Sequence, residues 1–386
     1  MGSHRLPEGE QAAGFALIDA FRDPETARRL LARIQALAER LASQREGPVS
    51  LMEVCGTHTV AIARSGFRSV LPRAVRLLSG PGCPVCVTAN ADIDRIIALT
   101  RVTGVTLATF GDMVRVPGSS TSLMQRKAEG ASVEVVYSPL DALRLAREQT
   151  DRQVVLVGVG FETTTPLIAA TIERAAALRL ANFSVLAIHK RVPPALAALV
   201  NDPEVSLDAL ILPGHVSTIL GPGPYRFLAD EHRIPGVITG FEPVDVLQGI
   251  AQLLKQCVEG DARIENAYRR AVMPEGNPAA RSAIERVFRV CDAKWRGLGT
   301  IPGSGYALRD DFAAFDATQR FEVEVEPTVE PRGCRCGDVL RGVISPQGCP
   351  LFGKLCTPTN PIGPCMVSSE GSCAAWARYH VGQEVR

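Results

Sequence analysis

Nine of the eleven cysteines fall in three places where thiol chemistry would be concentrated. Cys55 stands alone in MEVCGTHT (52–59), Cys83 and Cys86 share GPGCPVCVT (80–88), and six more lie between Cys334 and Cys373. In a reducing compartment, thiols clustered this way read as metal ligands or redox groups rather than as a disulfide framework. The C-terminal set runs Cys334-Arg-Cys336, then Cys349, Cys356, Cys365 and Cys373, with glycine and proline filling the intervals. That composition buries little apolar surface, so thiolate–metal bonds are its natural organiser. Structural zinc usually takes paired C-x₂₋₄-C knuckles. Here one C-x-C pair is followed by single cysteines, a pattern that favours an iron–sulfur cluster, with a zinc-stabilised or simply reduced tail as the alternative. Six thiols exceed the needs of one four-coordinate site, and the surplus pair suits a dithiol or disulfide beside the metal.

Cys55 is placed just beyond an apolar strand, where a helix begins. Ligands collect at the carboxyl ends of strands in open α/β sheets, and a helix N-terminus favours thiolate. His58, three residues on, has the reach to serve that site as base, donor or ligand. Cys83-Pro-Val-Cys86 has the spacing of a redox pair or of half a zinc site, and no second C-x-x-C follows it at zinc-finger distance. Polar loops at predicted strand ends add Glu162, Thr163 and Thr164 (in GFETTTP, 160–166), His189, and His215 (in PGHVS, 213–217). None of these loops is a Walker A or G-x-G-x-x-G pattern. Cys257 and Cys291 fall on predicted helices and read as core residues.

The elements that must position these groups follow from apolar patterning. Asp23 as N-cap and Pro24 at the first turn open an amphipathic helix over 23–44. Apolar strands are expected at 49–54, 75–78, 104–109, 133–137, 154–158, 183–188, 209–212 and 237–239. Helices are expected at 139–149, 166–179, 193–200 and 243–257. Strands that are apolar throughout, alternating with helices, predict parallel sheets covered on both faces. Helix is expected again over 262–295, and 321–331 (FEVEVEPTVEP) alternates like a half-exposed strand. The expected plan has four parts. A helical segment over 1–48 packs on the C-terminal domain. Two parallel-sheet α/β domains of similar plan cover 49–145 and 146–300, and a Cys-rich [4Fe-4S] domain covers 301–386. Forty-two basic against 41 acidic residues give no electrostatic case for nucleic acid or an anionic membrane. No apolar run reaches the roughly 18 residues of a membrane span, and no signal-peptide plan opens the chain, so a cytoplasmic location is expected.

Taken together, MEVCGTHT, GPGCPVCVT, GFETTTP, PGHVS, CPLFGKLCTP and GPCMVSSEGSCAAW resemble, in order, the motifs of the HypD family of hydrogenase maturation proteins. The resemblance spans about residues 50 to 376. It implies three domains, with a [4Fe-4S] cluster on Cys334, Cys349, Cys356 and Cys373 and a redox disulfide between Cys336 and Cys365. It further implies that Cys55 holds the iron of a transient Fe(CN)₂CO unit, with His58 and the Cys83/Cys86 pair facing the same cleft. Thr57, Glu162, Thr163, Thr164 and His215 are the further cleft candidates. Implied partners are a HypC-type small chaperone and a HypE-type cyanide donor. The function so implied is a redox-active scaffold for assembling the Fe(CN)₂CO unit, including reductive decyanation of a partner thiocyanate. The alternative is an iron–sulfur thiol–disulfide reductase acting on a protein partner, which would have no use for MEVCGTHT.

Overall fold

The computed structural model describes residues 20–379. It contains two parallel sheets and one antiparallel hairpin. The strands are β1 (Val49–Glu53), β2 (Val75–Ser79), β3 (Val105–Thr109), β4 (Val133–Val135), β5 (Gln153–Gly158), β6 (Phe183–Ala187), β7 (Ala209–Pro213), β8 (Gly236–Thr239), β9 (Ile264–Asn266), β10 (Phe288–Trp295) and β11 (Gly299–Leu308). The larger sheet has the order β2-β1-β7-β8-β9, and the smaller β4-β3-β5-β6.

Period-two alternation explains why these strands are apolar at both odd and even positions. In the larger sheet, Leu51, Ala209, Ile211 and Val237 enter one core, while Met52, Val54, Leu210, Leu212 and Ile238 enter the core on the opposite face. The smaller sheet divides the same way, with Leu107, Val155, Val157 and Leu186 on one side and Ala108, Val154, Leu156 and Val185 on the other. A strand buried on both faces has no polar side to show.

The α/β class and the parallel sheets are as expected, but the expected division of the chain is corrected. β3 lies before residue 145 and β5 after 146, yet they are neighbours in one sheet. β1 pairs with β7 across more than 150 residues. The chain therefore leaves the larger sheet after β2, builds the whole smaller sheet, and returns at β7. Apolar patterning locates strands without saying which strands pair, so a cut in the middle of the inserted unit looked as plausible as any other.

Three further expectations are corrected. Asp23 does cap the helix Pro24–Gln44, accepting from the N–H of Thr26 at 2.7 Å. Its apolar stripe (Ile34, Leu37, Ala38, Leu41) packs on the helix Pro243–Glu259 and the larger sheet, not on the C-terminal Cys-rich region. The 262–295 stretch is helical only over Pro278–Val287, flanked by β9 and β10. Cys291 consequently sits on a strand, beside a bulge between Cys291 and Ala293. The 321–331 segment is extended but joins no sheet. Side chains hold it instead: Asn90 Nδ2 donates to Val329 O at 2.8 Å, and Arg296 pairs with Glu330.

The β10–β11 hairpin braces the two sheets. Trp295 is fully buried, donates from its indole to Ser304 Oγ at 2.9 Å, and stacks near Phe161. The Arg296 N–H bonds Val87 O just beyond Cys86, and the Lys190 backbone bridges Gly305. Among the described residues no helix is long and apolar enough to cross a membrane.

Ile34 joins the first helix to the sheet with no exposed surface. Ile34→Ala is expected to cost about 2–5 kcal/mol, by lost transfer free energy plus a cavity. A urea midpoint unchanged by this substitution would show that the helix is not part of the cooperative core.

Candidate functional site

Each sheet has one place where strand order reverses, and ligand crevices open there, outside the strand carboxyl ends. In the larger sheet it lies between β1 and β7, and in the smaller between β3 and β5. The first pair of strands feeds the Cys55 and His215 loops, and the second feeds the Phe110–Asp112 and Gly160–Thr165 loops.

Cys55 is the N-cap of the helix Gly56–Arg64 and has extended backbone. Its position depends on two close approaches. The N–H of Gly56 donates to Gly82 O at 2.8 Å, and a Cβ on Gly82 would land inside the backbone of Cys55. The Cys55 N–H donates to Glu53 Oε2 at 3.2 Å, and Thr59 Oγ1 donates to Glu53 Oε1 at 2.6 Å. Glu53 is fully buried, and burial raises its carboxyl to about 7. Burial, reinforced by the carboxylates of Glu370 and Glu53, pushes the Cys55 thiol up to about 12. Left alone, Cys55 stays protonated, so a bound cation is needed to make it a thiolate.

His58 is buried one turn into the same helix. Its Nε2 meets Gly240 O at 2.9 Å and Thr239 Oγ1 at 2.8 Å. A carbonyl only accepts, so we place the proton on Nε2; Nδ1 is then a lone pair with no hydrogen-bond partner. Burial depresses this imidazole to about 4. Its ring packs 4.5 Å from Phe241, whose other neighbour is the exposed ring of His215 at 4.0 Å. The two histidines are thus aligned through one phenylalanine.

Cys83 and Cys86 form a disulfide at the short helix Pro84–Val87, and both are buried. That helix packs against Pro364–Val367, which carries Cys365, and Cys86 Sγ lies 3.9 Å from Pro364 O. The six C-terminal cysteines line one pocket together with Leu351, Phe352 and Met366. Cys336 and Cys365 approach to 2.6 Å between sulfurs. Contacts from the Cys334 and Cys365 sulfurs, and then the charge of Arg296, lower Cys336 below the ordinary thiol range, while Cys334 and Cys365 are raised. The Ile362 N–H donates to Cys356 Sγ at 3.3 Å. Among the described residues no three His, Cys, Asp or Glu side chains converge on one point as a single bound ion requires.

The segment after Cys365 spans both crevices. Thr57 Oγ1 donates to Glu370 Oε1 at 2.7 Å, and a Cβ on Gly56 would collide with Glu370. Ser368 Oγ and the Ser369 N–H each donate to Asp112 Oδ2 at 3.1 Å. Sequence reasoning missed Glu370, Asp112 and Phe241 as site residues. The available signal was position: Asp112 follows β3 directly, Phe241 follows β8, and Glu370 lies within the same motif as Cys365 and Cys373.

Not every candidate faces the crevice. Glu162 turns inward, is almost fully buried, and accepts from the Val192 N–H at 3.0 Å, capping the helix Val192–Val200. Burial raises its carboxyl to about 7. Thr163 is half-buried, and Thr164 is exposed and bonded to Phe161 O. His189 is buried with neither ring nitrogen hydrogen-bonded, against Phe288.

Because His58 is depressed from 6.5 to about 4, the unfolded chain takes up a proton here between those pH values that the folded protein refuses. Its contribution to stability is present above pH 6.5 and lost on acidification. Between pH 7 and 5, His58→Gln is expected to lose about 1–2 kcal/mol less stability than the parent. Urea midpoints at the two pH values check this, and equal losses would place the His58 pKa near its ordinary value.

The HypD family model, described as "Hydrogenase formation hypA family", matches residues 25–380. The chain is 47% identical over 369 residues to the hydrogenase maturation factor HypD of Azotobacter vinelandii, covering 94% of this chain and 96% of that protein. It is 47% identical to the hydrogenase expression/formation protein HupD of Azotobacter chroococcum, with the same coverage. It is 44% identical to HypD of Escherichia coli over 94% of this chain and 97% of that one. With nearly its whole length matched, the chain belongs to the HypD family of hydrogenase maturation factors.

Proposed function

We propose that the protein is the redox-active scaffold on which the Fe(CN)₂CO unit of a [NiFe] hydrogenase is assembled. It would act with a HypC-type chaperone and receive cyanide from a HypE-type donor. The observation that carries this reading is the convergence on one crevice of a lone buried thiol, a C-x-x-C pair and a six-cysteine pocket, tied by Glu370 and Thr57.

Cys55 is the anchor for the incoming iron. Its thiol is neutral until the cation arrives, so binding is coupled to proton release. Glu370 and Glu53, both raised by burial, are the nearby carboxyls suited to take that proton. Strong-field cyanide and carbon monoxide suit low-spin Fe(II), with soft thiolate completing its coordination. Releasing cyanide from a partner thiocyanate needs two electrons. Reduced Cys83 and Cys86 supply them: R–S–CN and two thiols become R–SH, the Cys83–Cys86 disulfide and HCN, whose carbon then binds iron as cyanide with loss of the proton. The bond between Cys83 and Cys86 is the one that this step would form.

The C-terminal pocket fits a [4Fe-4S] cluster on Cys334, Cys349, Cys356 and Cys373. Its thiol donors surround an apolar cavity, and an N–H already points at the Cys356 sulfur. When bound, such a group supplies electrons one at a time. The Cys336/Cys365 pair, of which Cys365 lies on the helix packed against Pro84–Val87, would be the dithiol that re-reduces Cys83–Cys86. A plain thiol–disulfide reductase would use both pairs, but it leaves the buried Cys55 and the His58–Phe241–His215 stack without work.

Anaerobic preparations are expected to hold about four irons and to absorb broadly near 400 nm, both lost in Cys349→Ala. Cys55→Ser is expected to keep that iron and lose the infrared cyanide and CO bands seen when the chaperone co-purifies. Zinc in place of iron overturns the redox part of this reading. Cyanide and CO bands that survive Cys55→Ser overturn the role of Cys55.

A further inference from the structure

A groove of about 1120 Å³ lies at the open edge of the larger sheet, with Val339 in the wall between it and the six-cysteine pocket. β2 is the edge strand: β1 pairs with it on one side, and its other side has no strand partner. The opposite wall is the C-terminal region, including Val339, Ile344 and Trp376. An unpaired parallel edge offers a row of N–H and C=O groups to any extended chain. Five residues of β2 span about 17 Å, the length of a five-residue strand.

Charge selects the occupant. Arg68, Arg73 and Arg76 line the groove, and no Asp or Glu does. Arg73 and Arg76 are exposed. Arg68 is held at the back by Ser79, to which Nη2 donates at 3.2 Å, and its guanidinium lies over the Trp376 ring at 5.4 Å. Its Nε and Nη1 are shut off from solvent and have no hydrogen-bond partner. The carboxylate behind it, Glu53, interacts with its charge but gives its hydrogen-bond capacity to Thr59 and the Cys55 N–H. The exposed guanidinium groups of Arg73 and Arg76 are the ones an incoming carboxylate meets, with the Arg68 charge behind them.

We propose that this groove is the docking surface for an extended, acidic segment of a protein partner, which adds to β2 as a sixth strand and sets its carboxylates against Arg73 and Arg76. This surface backs onto the cysteine crevice without including its cysteines, and the proposal stands whether or not iron is assembled there.

The test uses the full chain and a fluorescein-labelled peptide of alternating valine and glutamate, followed by anisotropy at low salt. Saturable binding is expected, with the amides of Val75–Ser79 slowed in hydrogen exchange. Arg73→Glu with Arg76→Glu, both on the surface, is expected to weaken it about tenfold or more. Proline at the centre of the peptide is expected to abolish it, because a strand cannot pair through proline. The proposal is overturned by any of four results. These are no saturation up to about 1 mM, equal binding of a valine–lysine peptide, equal binding of the proline peptide, or preferential binding of a single-stranded oligonucleotide.

Discussion

The segment from Cys365 to Cys373 is pinned at both crevices at once, by Glu370 on Thr57 and by Asp112 on Ser368 and Ser369. Much of the site depends on that double attachment. It carries two of the six C-terminal cysteines into the same apolar cluster as Met52, Val54, Cys83 and Cys86. A glycine- and proline-rich tail with little apolar surface of its own borrows its core from the larger sheet. The polar contacts at its ends fix the register of that borrowing, since a buried carboxylate left without its donor is strongly unfavourable.

A second constraint is steric. Gly56, Gly82 and Gly371 each stand where a side chain would strike neighbouring backbone or Glu370, and these contacts bring the Cys55 loop, the C-x-x-C loop and the tail to van der Waals distance. The β10–β11 hairpin completes the frame. Trp295 fills the space beside Phe161, and Arg296, almost fully buried, bonds Thr88 O, Asn90 and Glu330 together. The inserted smaller sheet, the larger sheet and the tail thereby meet at the residues flanking Cys86.

Burial sets the chemistry of this meeting point. It holds Cys55 as a thiol, His58 as a neutral base and Glu53 near half-protonation at neutral pH. A site poised in this way answers to the arrival of a cation by giving up protons, which suits a scaffold that must bind and then release its cargo.

Strand positions from β1 to β8 were legible in the sequence because strands buried on both faces are uniformly apolar, and the helices between them keep their 3.6-residue period. The cysteine groups, His58 and the glycine loops were legible as well, because thiols and tight turns are chemically distinctive wherever they lie. The pairing of β1 with β7 was not legible, nor was the insertion of the smaller sheet, since hydrophobicity does not record a partner. The first hairpin strand, Phe288–Trp295, was read as helix because its exposed face is charged and its bulge breaks the alternation. Glu162 looked like a site residue and became a helix cap, whereas Glu370 was missed and became the link to Thr57. Sequence alone determined which groups could do chemistry. Only the tertiary structure decided which of them meet, because a carboxylate's role depends on the donors that packing brings within hydrogen-bond reach.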